Sequence, residues 1–462
     1  MASTPELQRG KFGSRLGFVL AAAGSAIGLG NIWRFPYVAG ENGGGAFVLV
    51  YLIFVAAIGL PVLLCEVALG RKTQRNPVGA FKAIVPEGWW PAVGGLGVLT
   101  GFVILSYYSV IAGWTLGYVF KAATGAFSGR INKAQSNQIF SSLIENPLLA
   151  MGLAVLFLLC TVLVVRGGVS HGIERAAKIL MPVFFLLLVG LTVRSITLPG
   201  AREGIHFLMH TDFSKLSPGV IAAALGQALF SLSLGMGAMV TYGSYLPKKE
   251  NLPVSAATVA GFDTLIALLG GFMIFPALFA AGVQPDAGPK LVFVVVPTIF
   301  NSMPMGGLFA VLFYFLLAIA ALTSTISLLE VVTAYFVDER GWSREKAVWS
   351  IAAGTVVLAI PSALSFGAVG FFTTFIGKAG GFLDMLDMLF GNIALSLGAL
   401  LISVFVGWRW GMRGALEEIR AGGGLPAPVL WSSMVRFLCP MAVVVVLSTR
   451  VYDYALKFLQ TS

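Results

Sequence analysis

Apolar residues occur along the whole chain in runs of about 20, separated by short polar segments. A helix needs a run of about this length to cross the hydrocarbon core of a bilayer. The runs predict eleven membrane spans, numbered 1 to 11 in chain order, and hence an all-α integral membrane protein forming one polytopic domain over residues 1–462. The predicted spans lie at roughly 15–40, 45–69, 92–123, 147–165, 176–198, 218–245, 255–282, 308–336, 346–363, 380–407 and 431–456.

Two of the runs are interrupted by glycine and polar residues, at Gly28–Asn31 in span 1 and at Ser231–Gly237 in span 6. A helix that gives up backbone hydrogen bonds at membrane depth must line a cavity or a polar site, because lipid offers no replacement partners. Glycine pairs can also serve close helix packing. Two interruptions five spans apart, however, are typical of an inverted repeat with its binding site at the midplane. We expect repeat one over about residues 10–200, repeat two over about 216–408 and an additional helix at about 431–456.

Composition excludes an ordinary soluble protein, because hydrophobic residues make up 57% of the chain, charged residues 11%, and mean hydropathy is +0.89. In a soluble chain the net charge of +10 would suggest a nucleic-acid partner. Here most basic residues fall in the loops on the side of the N-terminus, which predicts a cytoplasmic N-terminus. We therefore expect a multi-pass protein of the inner (plasma) membrane, with its C-terminus outside and no nucleic-acid partner. The sequence leaves the oligomeric state open.

Three segments together resemble the neurotransmitter:sodium symporter family: Arg15–Phe47, Gly226–Tyr245 and Ala320–Glu330. The likeness covers nearly the whole chain and is greatest to the family's bacterial eleven-span amino-acid transporters. It implies that helices 1 and 6 are unwound within a 5+5 inverted repeat. It also implies sodium-coupled symport of a hydrophobic L-amino acid by alternating access, without enzymatic activity.

The resemblance implies two sodium ions as co-transported cargo. Sodium is a hard cation that prefers oxygen ligands, which unwound backbone and Asn, Ser and Thr side chains can supply. For Thr323 and Ser324, hydrogen bonding within their own helix is the alternative. By resemblance, the first site uses Ala26, Asn31, Ser231 and Asp263 with the substrate carboxylate, and the second uses Gly24, Ile27, Ala320, Thr323 and Ser324.

The organic substrate is expected beside the first sodium. Backbone N–H groups at a helix break favour a carboxylate, to which the Tyr108 hydroxyl could also donate. Members of the family that carry decarboxylated amines have a carboxylate at the position of Gly28, so here the substrate is expected to bring its own. Core packing is the alternative for any single aromatic residue. The expected substrate-binding residues are Ala26, Gly28, Leu29, Gly30, Ile104, Tyr108, Phe230, Ser231, Ser233, Met236, Ser327 and Leu328.

Asp263 departs from the animal members, which have a neutral Asn at this position and need chloride nearby. Ala267 likewise replaces a hydroxyl that binds chloride in those members. A carboxylate can supply the negative charge that chloride otherwise supplies, so no chloride is expected.

Two ion pairs resemble the family's gates. Arg34 and Asp387 match the outer gate, joined through water, and Arg9 and Asp338 match the inner gate. Without the resemblance, a solvated ion pair worth under about 1 kcal/mol would be the favoured interpretation of the inner pair.

Two other classes of function were weighed. An ion channel would carry rings of repeated filter residues and continuous pore helices, whereas the sequence indicates one asymmetric site. A membrane enzyme could use Gly28-Leu29-Gly30 as a nucleotide loop, but no strand precedes it and the third glycine is missing. Within the transporter class, another amino or imino acid bearing a carboxylate is the alternative substrate.

Overall fold

The computed structural model describes residues 10–127, 131–283, 290–300, 304–376 and 380–461, with side chains described up to 452 and at 455. Over these ranges the chain is helical and contains no strand. Within the described ranges, nine helices are long and apolar enough to cross a membrane. They are span 2 (Gly45–Thr73), span 3 (Pro91–Ala123), span 4 (Pro147–Arg166), span 5 (Val169–Ile196), span 7 (Leu252–Ala280), span 8 (Gly306–Arg340), span 9 (Arg344–Leu364), span 10 (Phe382–Arg420) and span 11 (Pro428–Tyr452).

The two remaining predicted spans are the interrupted ones. Span 1 consists of Arg15–Ala26 and Gly30–Glu41, which bend by 47° at the break. Span 6 consists of Pro218–Ser231 and Ala238–Gly243, separated by six residues that are not helical. The helices outside the spans are Pro77–Ile84, Lys133–Ile144, Ala201–Met209, Phe213–Lys215, Leu291–Phe300 and Gly370–Thr373.

Local sequence explains where several spans begin. Asn146, Ser217 and Asn251 each accept a hydrogen bond from a backbone N–H in the first turn that follows. A side-chain oxygen at this position satisfies a donor that the helix itself leaves unpaired. Proline stands within the first two residues of all three helices, where its missing N–H costs nothing.

The break in span 6 depends on residues in the left-handed backbone region. Ser233, Gly235 and Gly237 have φ values of +53°, +79° and +77°. Glycine adopts this region without strain. At Gly235 a Cβ would overlap the Leu395 carbonyl, so this glycine also lets span 6 approach span 10 closely.

Span 10 continues beyond its predicted end near residue 407 to Arg420. Its last turns are polar, which is why the apolar pattern ends early. The fully buried Arg71 of span 2 donates from Nε to Glu418 Oε1 at 2.8 Å, and it also bonds the Glu418 and Glu250 carbonyls. These contacts hold the polar extension against span 2.

Candidate functional site

The breaks in spans 1 and 6 face each other in the core. The Ser233 hydroxyl donates to the Ser25 carbonyl at 2.9 Å, and the Gln227 amide donates to the Gly30 carbonyl at 2.9 Å. Span 8 adds the Ser324 hydroxyl, which lies 3.3 Å from the same Ser25 carbonyl. Side chains of spans 6 and 8 thus replace the hydrogen bonds that span 1 loses at its break.

A cavity of about 30 Å³ lies where spans 1, 3, 6 and 8 meet. Ten of the residues expected to bind substrate line it: Ala26, Gly28, Gly30, Ile104, Tyr108, Phe230, Ser233, Met236, Ser327 and Leu328. Ser25 and Ser324 also line the cavity, and the sequence did not assign either to the substrate. One wall is polar, from the serines and the tyrosine, and the other is apolar.

Leu29 and Ser231 do not line this cavity, unlike the other expected residues. The Leu29 backbone N–H instead donates to the Tyr108 hydroxyl oxygen at 3.0 Å. The Tyr108 hydroxyl oxygen therefore accepts a hydrogen bond from the backbone at the break in span 1. Its hydroxyl proton remains able to donate to another group. Ser231 turns toward span 7.

Asp263 of span 7 gathers the side chains expected at the first sodium site. Asn31 Nδ2 donates to Asp263 Oδ1 at 2.7 Å, and Ser231 Oγ donates to the same carboxylate at 2.8–2.9 Å. The Tyr51 hydroxyl, 3.4 Å from Asp263 Oδ2, joins them. Nothing in the sequence around Tyr51 distinguishes it from the other aromatic residues of apolar spans. Ala26, expected in the same ligand set, lies in the cavity wall.

This cluster is fully buried and rich in oxygen atoms. Among the described residues, no Lys or Arg comes within 4 Å of the Asp263 carboxylate, and Asn31 Oδ1 has no hydrogen-bond partner. A buried charge is costly unless it is paired. Carboxylate, hydroxyl and amide oxygens together suit a hard cation such as sodium.

A second group of oxygens surrounds Thr323 of span 8. Its hydroxyl lies 3.3 Å from the Ile27 carbonyl, 3.0 Å from the Ala320 carbonyl and 3.3 Å from the Ile319 carbonyl. A Cβ added at Gly24 would lie 3.3 Å from the Thr323 Cβ, so these two residues are also in contact. Three of the other residues expected at the second sodium site, Gly24, Ile27 and Ala320, therefore adjoin Thr323. Ser324 turns to the Ser25 carbonyl instead.

The geometry agrees with comparisons to known proteins. The chain matches the sodium:neurotransmitter symporter family over residues 9–142 and 132–461. It belongs to this family. A sodium-dependent transporter of Bacillus subtilis, YhdH, is 43% identical over 94% of this chain and 96% of its own length. A Haemophilus influenzae sodium-dependent transporter is 37% identical over 97% of this chain and 100% of its own.

The crystal structure of MhsT in complex with L-phenylalanine superposes on this chain with a TM-score of 0.89 and 46% sequence identity. The match covers 96% of this chain and 100% of that chain. Family membership and the fold implied by the resemblance are thereby confirmed. The protein is a multi-pass, sodium-dependent membrane transporter and not an enzyme.

The residues expected at the symporter's outer gate are linked by an amide. Arg34 Nη2 donates to Asn392 Oδ1 at 2.9 Å, and Asn392 Nδ2 donates to Asp387 Oδ2 at 3.2 Å. The Tyr107 hydroxyl donates to Asp387 Oδ1 at 3.0 Å. The Arg34 guanidinium also lies over the Phe230 ring, 4.3 Å from its centroid. The bridge expected through water is thus made by Asn392, which the sequence reasoning missed.

At the opposite end of the symporter, Arg9 lies outside the described residues. Asp338, its expected partner, accepts from the Asn76 backbone N–H at 2.9 Å and from Asn76 Nδ2 at 3.2 Å. Glu174 of span 5 holds the chain before span 1, accepting from the Gly13 N–H at 2.7 Å and the Ser14 hydroxyl at 2.9 Å. These contacts lie at the end opposite the Arg34 bridge.

Proposed function

We propose that this protein imports hydrophobic L-amino acids by sodium-coupled symport with alternating access. The observation that carries the proposal is the buried oxygen cluster of Asp263, Asn31 and Ser231, on the helix break that also walls the cavity. Two sodium ions are the inorganic cargo, one at this cluster and one at the oxygens around Thr323. By resemblance, the substrate carboxylate completes the first sodium's ligands.

The walls of the cavity support an amino acid with an apolar side chain. Ile104, Phe230, Met236 and Leu328 supply an apolar wall, in which flexible methionine can adapt to different shapes. MhsT, 46% identical, was crystallised with L-phenylalanine. The break between Ala26 and Gly30 supplies backbone groups for the charged end of the substrate.

Gly28 supports a substrate that brings its own carboxylate. A Cβ at Gly28 would overlap Ser324 Oγ and lie 2.9 Å from the Tyr108 hydroxyl oxygen. A carboxylate side chain, as in family members that carry decarboxylated amines, has no room here without rearrangement of both neighbours. The negative charge near the first sodium is therefore left to the substrate and to Asp263.

The Asp263 carboxylate also supports transport that is independent of chloride. Asp263 is fully buried, and Ala267, one helical turn further along span 7, offers no hydroxyl to an anion. The negative charge of Asp263 beside the first sodium can replace the charge of a halide. By contrast, a bovine taurine transporter that is 29% identical to this chain is described as sodium- and chloride-dependent.

The excess of basic residues in loops on the N-terminal side supports an inner-membrane protein with a cytoplasmic N-terminus and an external C-terminus. In this orientation the Arg34 bridge faces outward and the Glu174 contacts face the cytoplasm.

A binding screen of the common L-amino acids in detergent tests the proposal. Apolar amino acids should bind in sodium chloride and fail to bind in potassium chloride. Tryptamine should fail where tryptophan binds, because losing the carboxylate leaves buried donors and a cation without their partner, which typically costs several kcal/mol. Tryptamine competing as well as tryptophan would overturn the assignment. Preference for proline would favour the imino-acid alternative.

A further inference from the structure

A groove of about 480 Å³ opens on the outside of the bundle, at the end where span 3 begins and span 8 ends. It is unrelated to the substrate cavity. Its walls come from three spans, the helix Pro77–Ile84 and the loop between spans 8 and 9, and include Val98, Leu99, Phe102, Val332, Phe336 and Trp342. We call it the span 3–9 groove.

The groove faces the surrounding hydrocarbon. Leu99, in its wall, is 50% exposed although it belongs to a membrane span. A Cβ added at Gly95, also in the wall, would meet no atom within 4 Å. Such open space on the membrane-facing surface is lined almost wholly by carbon and is suited to a hydrocarbon chain.

One end of the groove carries a positive charge. Lys346 is exposed, and its Nζ lies 4.6 Å from the centroid of the Trp342 ring, which lines the groove. Within the described chain, no acidic side chain lies within 4 Å of Lys346. The acids near it are already engaged, since Glu345 pairs with Arg166 and Glu330 pairs with Arg344.

The length of the groove is close to the thickness of the hydrocarbon layer of one bilayer leaflet. Gly354, at the far end of the groove, lies eight residues beyond Lys346 on the same helix, which corresponds to about 12 Å at 1.5 Å per residue. Half of a bilayer's hydrocarbon core is about 15 Å thick. Tryptophan and lysine at the rim, with apolar residues below, reproduce the order of interface and hydrocarbon in a membrane.

We propose that the span 3–9 groove binds an anionic phospholipid, with an acyl chain along Leu99 and Phe102 and the phosphate at Lys346. Basic residues at the edge of clefts between membrane helices bind anionic head groups in this manner. Lipid binding in this groove does not depend on which amino acid the protein transports. With a cytoplasmic N-terminus, the lipid belongs to the cytoplasmic leaflet.

Two pairs of variants separate the contributions of the head group and the acyl chain. Lys346→Gln removes the charge, and Lys249→Gln is its control, because Lys249 is an exposed lysine distant in sequence from the groove. Gly95→Leu fills the groove and favours helix formation. Gly190→Leu is the control for Gly95→Leu, since a Cβ at Gly190, exposed on span 5, also meets no atom within 4 Å.

Native mass spectrometry of delipidated protein, titrated with phosphatidylglycerol or phosphatidylcholine, measures the binding. The unmodified protein and both controls should prefer phosphatidylglycerol by about fivefold, the contribution of one lysine near an anionic surface. Lys346→Gln should lose the preference but still bind lipid, and Gly95→Leu should lose bound lipid of both kinds. Equal binding of both lipids by unmodified protein, or undiminished binding by Gly95→Leu, would overturn the proposal. Sodium-dependent amino-acid binding, measured in parallel, verifies that each variant is folded.

Discussion

Arg34 is held by Asn392, whose amide oxygen accepts from Nη2 at 2.9 Å, and not directly by Asp387. The two residues lie 358 positions apart in the chain. The Asn392 amide also donates to the Asp387 carboxylate, so one neutral side chain links the two charges across the outer end of the cavity. A neutral link is easier to break than a buried ion pair, which suits a gate that opens in each cycle of the proposed alternating access.

Removing this link should loosen the outer gate. With Asn392→Ala we expect bound amino acid to dissociate about tenfold faster, since hydrogen bonds to charged groups contribute about 1.5–3 kcal/mol. The measurement is the release of radiolabelled substrate from detergent-purified protein in sodium. Asn137→Ala, at a partly exposed asparagine bonded within its own helix, is the control. Unchanged release from Asn392→Ala would remove Asn392 from the gate.

Thr323 should control sodium activation through the second site. Thr323→Val keeps the shape of the side chain and removes only the oxygen that lies 3.3 Å from the Ile27 carbonyl. We expect the sodium concentration for half-maximal binding of substrate to rise about fivefold or more, as expected for losing about 1 kcal/mol of ligand interaction. Thr325→Val is the control, because Thr325 is a buried threonine on the same helix that bonds Thr161 instead. Equal sodium activation of both variants would contradict the assignment.

The sequence could predict the breaks because their residues are costly in a membrane helix, whereas the members of the two oxygen clusters were implied by the family resemblance. Glycine pairs beside Asn31 or Ser231, and an aspartate at position 263, have few structural uses at bilayer depth. The twelve expected substrate residues came from the family resemblance, and ten of them adjoin one cavity. The polar residues of spans 1, 6, 7 and 8 have to point inward.

The partners of particular side chains could not be predicted in this way. Asn392 and Tyr51 are ordinary residues of apolar spans, and only the fold shows that they meet Arg34 and Asp263. Leu29 and Ser231 were expected in the cavity, but rotation about a helix break decides which way each residue faces. No residue pattern encodes this rotation.

Asp263 should make transport independent of chloride. Uptake by reconstituted protein should persist when gluconate replaces chloride, because the carboxylate already supplies the negative charge beside the first sodium. The double variant Asp263→Asn with Ala267→Ser should then acquire chloride dependence, and Ala267→Ser alone should not. Strict chloride dependence of the unmodified protein would contradict this role for Asp263.

Met236 should set the size of side chain that the cavity accepts. Met236→Phe adds bulk to the apolar wall and should favour small aliphatic amino acids over aromatic ones. Changes of this kind are typically worth about 1–3 kcal/mol between competing substrates. Competition binding of leucine against tryptophan measures the shift, and an unaltered ranking would place Met236 outside the substrate contacts.

The central claim is that sodium drives the amino acid across the membrane. The most direct measurement is uptake into proteoliposomes of the tightest-binding labelled amino acid, with an inward sodium gradient imposed. The account predicts accumulation above the external concentration, which disappears when potassium replaces sodium. Uptake that is equal in potassium, or that only equilibrates the two sides as a channel would, contradicts it.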